Sequence, residues 1–253
     1  MWIAVAQMDC VAGDVSANAD TAAGLVMAAA ERGAEVVVLP ELADVGYDMS
    51  LVPACAEEWS SSRYLARLME EAARAGVVVI SGLTERVGDR IFNSVAVTDG
   101  PGSLLGAYRK VHLWGPGGEP SVFTPGDAVG QLPLGGLQVG LTVCFDLRFP
   151  MLYHPLAVAG TELFVVASAW PFPRLRHWST LLAARAIENQ CYMAAANRVG
   201  TDGSVTFCGS SAIIDPYGTV VASADEVSSG VVVGEALAER VTEVRQAIPV
   251  LGD

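Results

Sequence analysis

Short apolar runs bounded by glycine and proline alternate with longer segments of helical period through the first half of the chain. Residues 2–8 form the first β-type run. GDVSAN follows, and then a helical pattern over 19–32 that stops at Gly33. EVVVLPEL predicts a buried strand at 36–39 closed by Pro40 and Glu41, which completes a strand, helix, strand unit. After a polar loop, residues 61–75 predict an amphipathic helix ended by Gly76. GVVVISGLTERV and RIFNSVAVTD flank a Gly-Asp turn and read as a hairpin, followed by a further alternating segment, GSLLGAYRKVHLW.

Residues 113–127 are rich in glycine and proline and predict a loop. Strand returns at 137–143 and delivers Cys144. Residues 151–159 read as an apolar, buried helix, TELFVVASAW as a buried strand ending at Trp170, and PFPRLR as a turn carrying Arg174 and Arg176. HWSTLLAARAIENQ predicts a helix. CYMAAANRVG and VTFCGSSAIIDPYG supply strands and a tight turn, and GTVVASA with GVVVGEAL reads as a closing hairpin. Helices and strands interleave first and strands cluster later, so the pattern predicts a layered α/β fold in a single domain over 1–253. Periodicity does not give the strand order.

Composition narrows the partners. The 253 residues are 52% hydrophobic and 17% charged, enough for one large core. A formal charge of -13 argues against nucleic acid or an anionic membrane as partner. The five cysteines (Cys10, Cys55, Cys144, Cys191, Cys208) are odd in number and widely spaced, so neither a disulfide framework nor a zinc ribbon is indicated and a reducing cytoplasm is expected. The start, MWIAVAQMDC, has no basic leader, and no apolar run reaches the ~18 residues of a membrane span; a soluble, unprocessed protein is expected. His112, His154 and His177 show no ligand spacing, so no metal and no cofactor are expected.

Three reactive side chains fall at the ends of apolar strands: Glu41, Lys110 and Cys144. Cys144 taken alone reads as a small buried hydrophobe, as most free cysteines are, and its flanks weaken that reading. A carboxylate such as Glu41 at a strand mouth is ordinarily solvated, unless the sheet edge desolvates it and makes it a usable base. Lys110 is the only lysine among 15 basic residues. Lysine, unlike arginine, is a compact point charge that titrates when buried, so its retention invites a chemical explanation. Glu119, inside the loop, reads on its own as solvated. Asp146 and Arg148 read as a charged pair with a structural part beside Cys144. Tyr47, Trp114 and Trp170 are candidate pocket walls or core packing.

Taken together, LPEL, YRKVHL and CFDLRFP resemble the Glu-Lys-Cys blocks of the nitrilase superfamily of carbon-nitrogen hydrolases. The likeness runs from IAVAQ through GDV, FTPGD and ARAIENQCYMAAANRVG to DPYG. It implies an αββα sandwich that pairs into a homodimer. It further implies Cys144 as nucleophile and Glu41 as the base that also activates water. Lys110 and the Phe145 N–H would stabilise the oxyanion, with Glu119 orienting Lys110 or the substrate amide. Phe-Asp-Leu-Arg after the cysteine, in place of Trp-Glu, resembles the amidase branch that includes the omega-amidases. A small linear amide is therefore the expected substrate, with ammonia released through an acyl-thioester. That branch usually has Glu where this chain has Met151, which puts the local helix start in question.

Arg174 and Arg176 are candidates for a carboxylate at the acyl end. A ureido amidohydrolase, a nitrilase and a non-catalytic scaffold are the alternatives. Carbamoylase relatives usually carry a more basic sequence after the cysteine, and a scaffold would have no reason to keep Glu41, the sole lysine and Cys144 together.

Overall fold

The computed structural model describes residues 1–100 and 103–251. Gly102, the first residue of the expected GSLLGAYRKVHLW segment, and the last two residues of the expected 1–253 domain lie outside the described residues. β1 (Trp2–Asp9) leads into α1 (Val15–Glu31). The helix starts earlier than the apolar period suggests because the Asp14 side chain accepts from Ala17 N and caps it. β2 (Val36–Val38) and a single turn, α2 (Val52–Cys55), precede α3 (Arg63–Ala75), which is capped by Ser62 and ended by Gly76 at φ 67°. β3 (Val78–Val87) and β4 (Arg90–Gly100) form the expected hairpin, and β5 (Ser103–Arg109) adds to it.

The second half begins with β6 (Gly130–Leu134), a strand absent from the sequence reading, paired with β7 (Leu137–Val143). α4 (Pro150–Val158), β8 (Leu163–Ser168), α5 (Leu175–Asn189) and β9 (Tyr192–Val199) follow. A small hairpin, β10 (Thr201–Asp202) with β11 (Val205–Thr206), precedes β12 (Ala212–Ile214), β13 (Val220–Ser223), β14 (Gly230–Glu235) and α6 (Ala238–Ala247).

These elements make a four-layer αββα sandwich. One sheet runs β5, β4, β3, β2, β1 and β14; the other runs β6, β7, β8, β9, β12 and β13; they join where Met8 and Asp9 pair with Arg198 and Val199. Side-chain alternation sorts the core. Ile3 and Val5 face the other sheet alongside Val139, Leu141 and Val143, while Ala4, Ala6 and Met8 face α1 with Val26 and Ala29.

Three expectations are corrected. GTVVASA and GVVVGEAL do not pair with each other: β13 pairs with β12 across the Asp215–Gly218 turn, and β14 pairs antiparallel with β1. The two segments are alike in pattern and adjacent in sequence, but the chain crosses between the two sheets there. α4 is not buried all round, since its outer face exposes Met151 (79%) and Val158 (55%). The helix start at Met151 is regular, with Pro150 at the first position, where its missing N–H costs nothing. α6 was not anticipated.

Candidate active site

Each of the three reactive residues follows the end of a strand. β2 stops before Pro40 and Glu41, β5 stops at Arg109 just before Lys110, and β7 stops at Val143 just before Cys144. Backbone contacts fix these ends. Gly82 N donates to Pro40 O (3.1 Å), and a Cβ at Gly82 would sit 2.6 Å from Glu41 Cα, so only glycine lets β3 press against the glutamate's backbone. Gly126 N donates to Lys110 O (2.8 Å), and a Cβ there would sit 2.2 Å from Arg109 O. The glycine of FTPGD therefore pins the loop that carries Glu119 onto the lysine.

Glu41, Lys110 and Glu119 are all buried and meet on one ammonium. Lys110 Nζ donates to Glu41 Oε1 and to Glu119 Oε1, each at 2.7 Å. Glu41 Oε1 also accepts from Asn93 Nδ2 (2.7 Å), and its Oε2 from Ala169 N (2.9 Å). Glu119 Oε1 accepts from the Tyr47 hydroxyl, and Oε2 from Trp114 N (2.9 Å). An ammonium has three N–H groups; two are committed to carboxylates, which leaves one for a substrate oxygen.

Burial alone would lower the Lys110 pKa, but the Glu41 and Glu119 carboxylates outweigh it and hold the side chain above the ordinary lysine range, so it stays cationic. Burial pushes Glu119 up, with Lys110 opposing it. Cys144 is raised well above the usual thiol value by burial and then by the Glu41 charge, while Lys110 and the Ser168 hydroxyl pull the other way. At rest Cys144 is therefore a thiol beside a carboxylate, and it loses its proton as it attacks.

Cys144 has φ 43°, a left-handed conformation uncommon for a residue with a Cβ, and opens a short 3₁₀ helix over 144–148. The Phe145 N–H lies in its first turn, where no upstream carbonyl of the helix can take it. Asp146 holds this turn: its Oδ2 accepts from Val143 N (3.0 Å) and the Tyr108 hydroxyl (2.8 Å), and its Oδ1 lies 2.8 Å from His112 Nδ1. The structural reading of Asp146 stands.

Arg148 is different. It does not pair with Asp146 but lies over the Trp170 ring (4.6 Å), with His177 Nδ1 at 3.2 Å. It lines the Cys144 pocket with Trp114, Phe145, Trp170, Pro171 and Arg174. Arg174 lies over Trp114 (5.1 Å). No carboxylate among the described residues lies within ion-pair distance of either arginine. Burial and then the like charge of Arg174 lower the Arg148 pKa.

The expected substrate residues thus divide. Trp114, Trp170 and Arg174 line the pocket. Arg176 does not: α5 begins at Leu175, so Arg174 sits at the helix start, and Arg176 lines a neighbouring surface hollow with His177, Thr180 and Leu181 that shares Arg148 with the Cys144 pocket. Tyr47 is not a wall of this pocket either; it reaches Glu119 instead. Sequence reading missed Asn93, whose signal was a polar residue in the otherwise apolar alternation of RIFNSVAV, and it assigned Arg148 no contact with the pocket. No group of three His, Cys, Asp or Glu among the described residues could hold a metal ion.

Comparison with known proteins agrees with this geometry. The carbon-nitrogen hydrolase family model matches residues 2–246. A 2-oxoglutaramate amidase of Bacillus subtilis is 35% identical over 88% of this chain and 85% of its own length. A deaminated glutathione amidase of Escherichia coli O157:H7 is 36% identical over 93% of this chain and 90% of its own. An amidase from Nesterenkonia sp. AN1, 28% identical with a TM-score of 0.87 over 98% of this chain, has been solved with acrylamide added at its active-site cysteine and in complex with butyramide, these structures being covered to 98% and 95%. With the Glu-Lys-Cys cluster at three strand ends and a match along nearly its whole length, the chain belongs to the carbon-nitrogen hydrolase family.

Proposed function

We propose that the chain hydrolyses a small linear amide bearing a carboxylate at its acyl end, with Cys144 as nucleophile. The observation that carries this reading is the third N–H of Lys110, left over after Glu41 and Glu119 take two, beside a cysteine at a strand end. Glu41 takes the thiol proton as sulfur attacks the amide carbon, and the oxyanion forms against Lys110 Nζ and Phe145 N–H. Glu41 returns the proton to the nitrogen, the C–N bond breaks and ammonia leaves. Glu41 then deprotonates a water that attacks the thioester, and the carboxylic acid departs as the thiol reforms.

The carboxylate is supported by Arg148 and Arg174, two guanidiniums at the pocket rim without acidic partners among the described residues, and by the similarity to a 2-oxoglutaramate amidase. Arg174→Ala or Arg148→Ala is expected to lower kcat/KM for 2-oxoglutaramate by about 10-fold or more, the value of a charge-assisted hydrogen bond, and for butyramide by much less. Ammonia release from both amides, measured across the variants, checks this. Equal losses on both substrates would leave a neutral aliphatic amide as the better reading.

Met151 and Val158 on α4 and Ile187 on α5 are exposed apolar residues, consistent with a surface covered by a second subunit. A homodimer is the proposed state, in the cytoplasm, with no nucleic acid or membrane partner. No helix among the described residues is long and apolar enough to cross a membrane. Light scattering on the purified protein is expected to give twice the chain mass, and Met151→Glu with Ile187→Glu to return it to the monomer mass.

A further inference from the structure

Tyr47 touches the catalytic cluster without lining the Cys144 pocket, and it is held at both ends. Its backbone N donates to Asp202 Oδ2 (2.9 Å). The Asp202 carboxylate is gripped by both terminal nitrogens of Arg198, with Nη2 to Oδ1 at 2.8 Å. Arg198 is wholly buried; Nη2 also donates to Cys10 O (2.6 Å), and its guanidinium lies over the Phe207 ring (4.5 Å). Phe207 meets the Tyr47 ring edge to face, with centroids 6.0 Å apart. At the far end the Tyr47 hydroxyl donates to Glu119 Oε1, the oxygen that receives Lys110 Nζ.

We propose that Tyr47 is a positioning residue for Glu119 and Lys110, and that the Arg198–Asp202 pair acts in the same line of contacts by fixing the Tyr47 backbone. The physical need is specific. Lys110 works as an oxyanion donor only if its two other N–H groups are held in fixed directions, and one of those directions is set by Glu119 Oε1. That oxygen is itself aimed by the hydroxyl. Two carboxylates also share one ammonium in a buried site, which favours a proton on one of them. The hydroxyl donated to Glu119 opposes this and helps keep it ionised. Without it, Glu119 would hold its proton to higher pH, and Lys110 would lose an ionic anchor. A Tyr47 that only filled space would be replaced by Phe at no such cost.

This rests on the amide-hydrolysis reading, so the test has two readouts. Tyr47→Phe is expected to lower kcat for amide hydrolysis about 10-fold with KM changed less than about 3-fold, and to move the acid limb of the kcat profile to higher pH. Asp202→Ala should reproduce the loss, Asp202→Asn, which keeps an acceptor for Tyr47 N, should recover part of it, and Tyr47→Phe with Asp202→Ala together should be no worse than about 2-fold below the poorer single variant. Independently of turnover, the pH dependence of Cys144 alkylation by iodoacetamide, followed on its peptide by mass spectrometry, should be displaced in Tyr47→Phe.

An unchanged kcat profile together with a superimposable alkylation profile in Tyr47→Phe overturns the proposal, as do losses that multiply in the double variant. If the wild-type protein released no ammonia from any amide, the functional reading would fail while the alkylation profiles still decided the role of Tyr47. Because Asp202→Ala leaves Arg198 buried without its carboxylate and risks instability, the isosteric Tyr47→Phe carries the decision.

Discussion

Cys144→Ala is expected to abolish ammonia release, by a factor on the order of 10³ or more, while leaving the fold intact. The chemical half of this follows from the site. Among the described residues no other cysteine stands beside Glu41 and Lys110: Cys10, Cys191 and Cys208 are buried elsewhere with thiols pushed up to about 12, 12 and 11 by burial, and Cys55 lies near Gly13. The Ser168 hydroxyl, at the end of β8, is buried without a hydrogen-bond partner among the described residues, so no base is in place to activate it.

The structural half follows from the charge state. Cys144 rests as a neutral thiol, so removing it deletes one small buried sulfur and strands no counter-charge. Alanine carries the same Cβ as cysteine, so the left-handed φ is no harder to hold than in the parent. Thermal unfolding within a few degrees of wild type, with turnover gone, is the expected pair of results. Cys144→Ser adds a control, since it keeps an acceptor and a proton but has a far weaker nucleophile. Turnover above a few per cent in Cys144→Ala would overturn the mechanism.

What the sequence showed and hid follows from the range of the interactions involved. Glu41 and Cys144 were legible because each follows a short apolar run that reads as a buried strand opening at a sheet edge, whereas Lys110 follows an alternating, half-exposed strand and was legible as the one lysine among the basic residues. Glu119 was legible only through resemblance: a glutamate among glycines and prolines reads as solvated, and it is held in the interior by Lys110 and Tyr47 from other segments and by Trp114 N of its own loop. Arg174 and Arg176 were inseparable in a turn. Once α5 starts at Leu175, two residues along a helix point to different sides, and only one can face the pocket.

The misassigned closing hairpin has the same origin. β13 and β14 each alternate well enough to pair with anything nearby, and only the sandwich decides that they belong to different sheets. Closeness in sequence suggests Arg148 as the partner of Asp146. Asp146 is instead satisfied by Val143 N, Tyr108 and His112, which frees the arginine for the rim.

Lys110→Arg, nominally conservative, is expected to lower kcat by about 10²- to 10³-fold, the value of an oxyanion donor. Lys110 is fully enclosed, and its single nitrogen reaches two carboxylate oxygens at 2.7 Å each from different chain segments while keeping a third N–H for substrate. A guanidinium spreads its charge over a plane with five N–H groups in a fork, so it can engage one carboxylate in parallel but cannot converge on both from one atom and also point out of that plane at the oxyanion. It is also larger than the space available, between Glu41 held by Asn93 and Ala169 and Glu119 held by Tyr47 and Trp114, so overpacking of about 1–3 kcal/mol accompanies the loss. The variant should therefore fold with a lowered melting temperature and retain its positive charge, and still fail in turnover. Lys110→Met separates charge from shape: it fits better but leaves two buried carboxyls facing each other, so its stability, relative to wild type, should fall further as pH rises and a proton shared between them is lost. Steady-state kinetics and unfolding curves of the two variants across pH check both statements. Near-normal kcat in Lys110→Arg would mean that the third N–H of Lys110 does not meet the oxyanion.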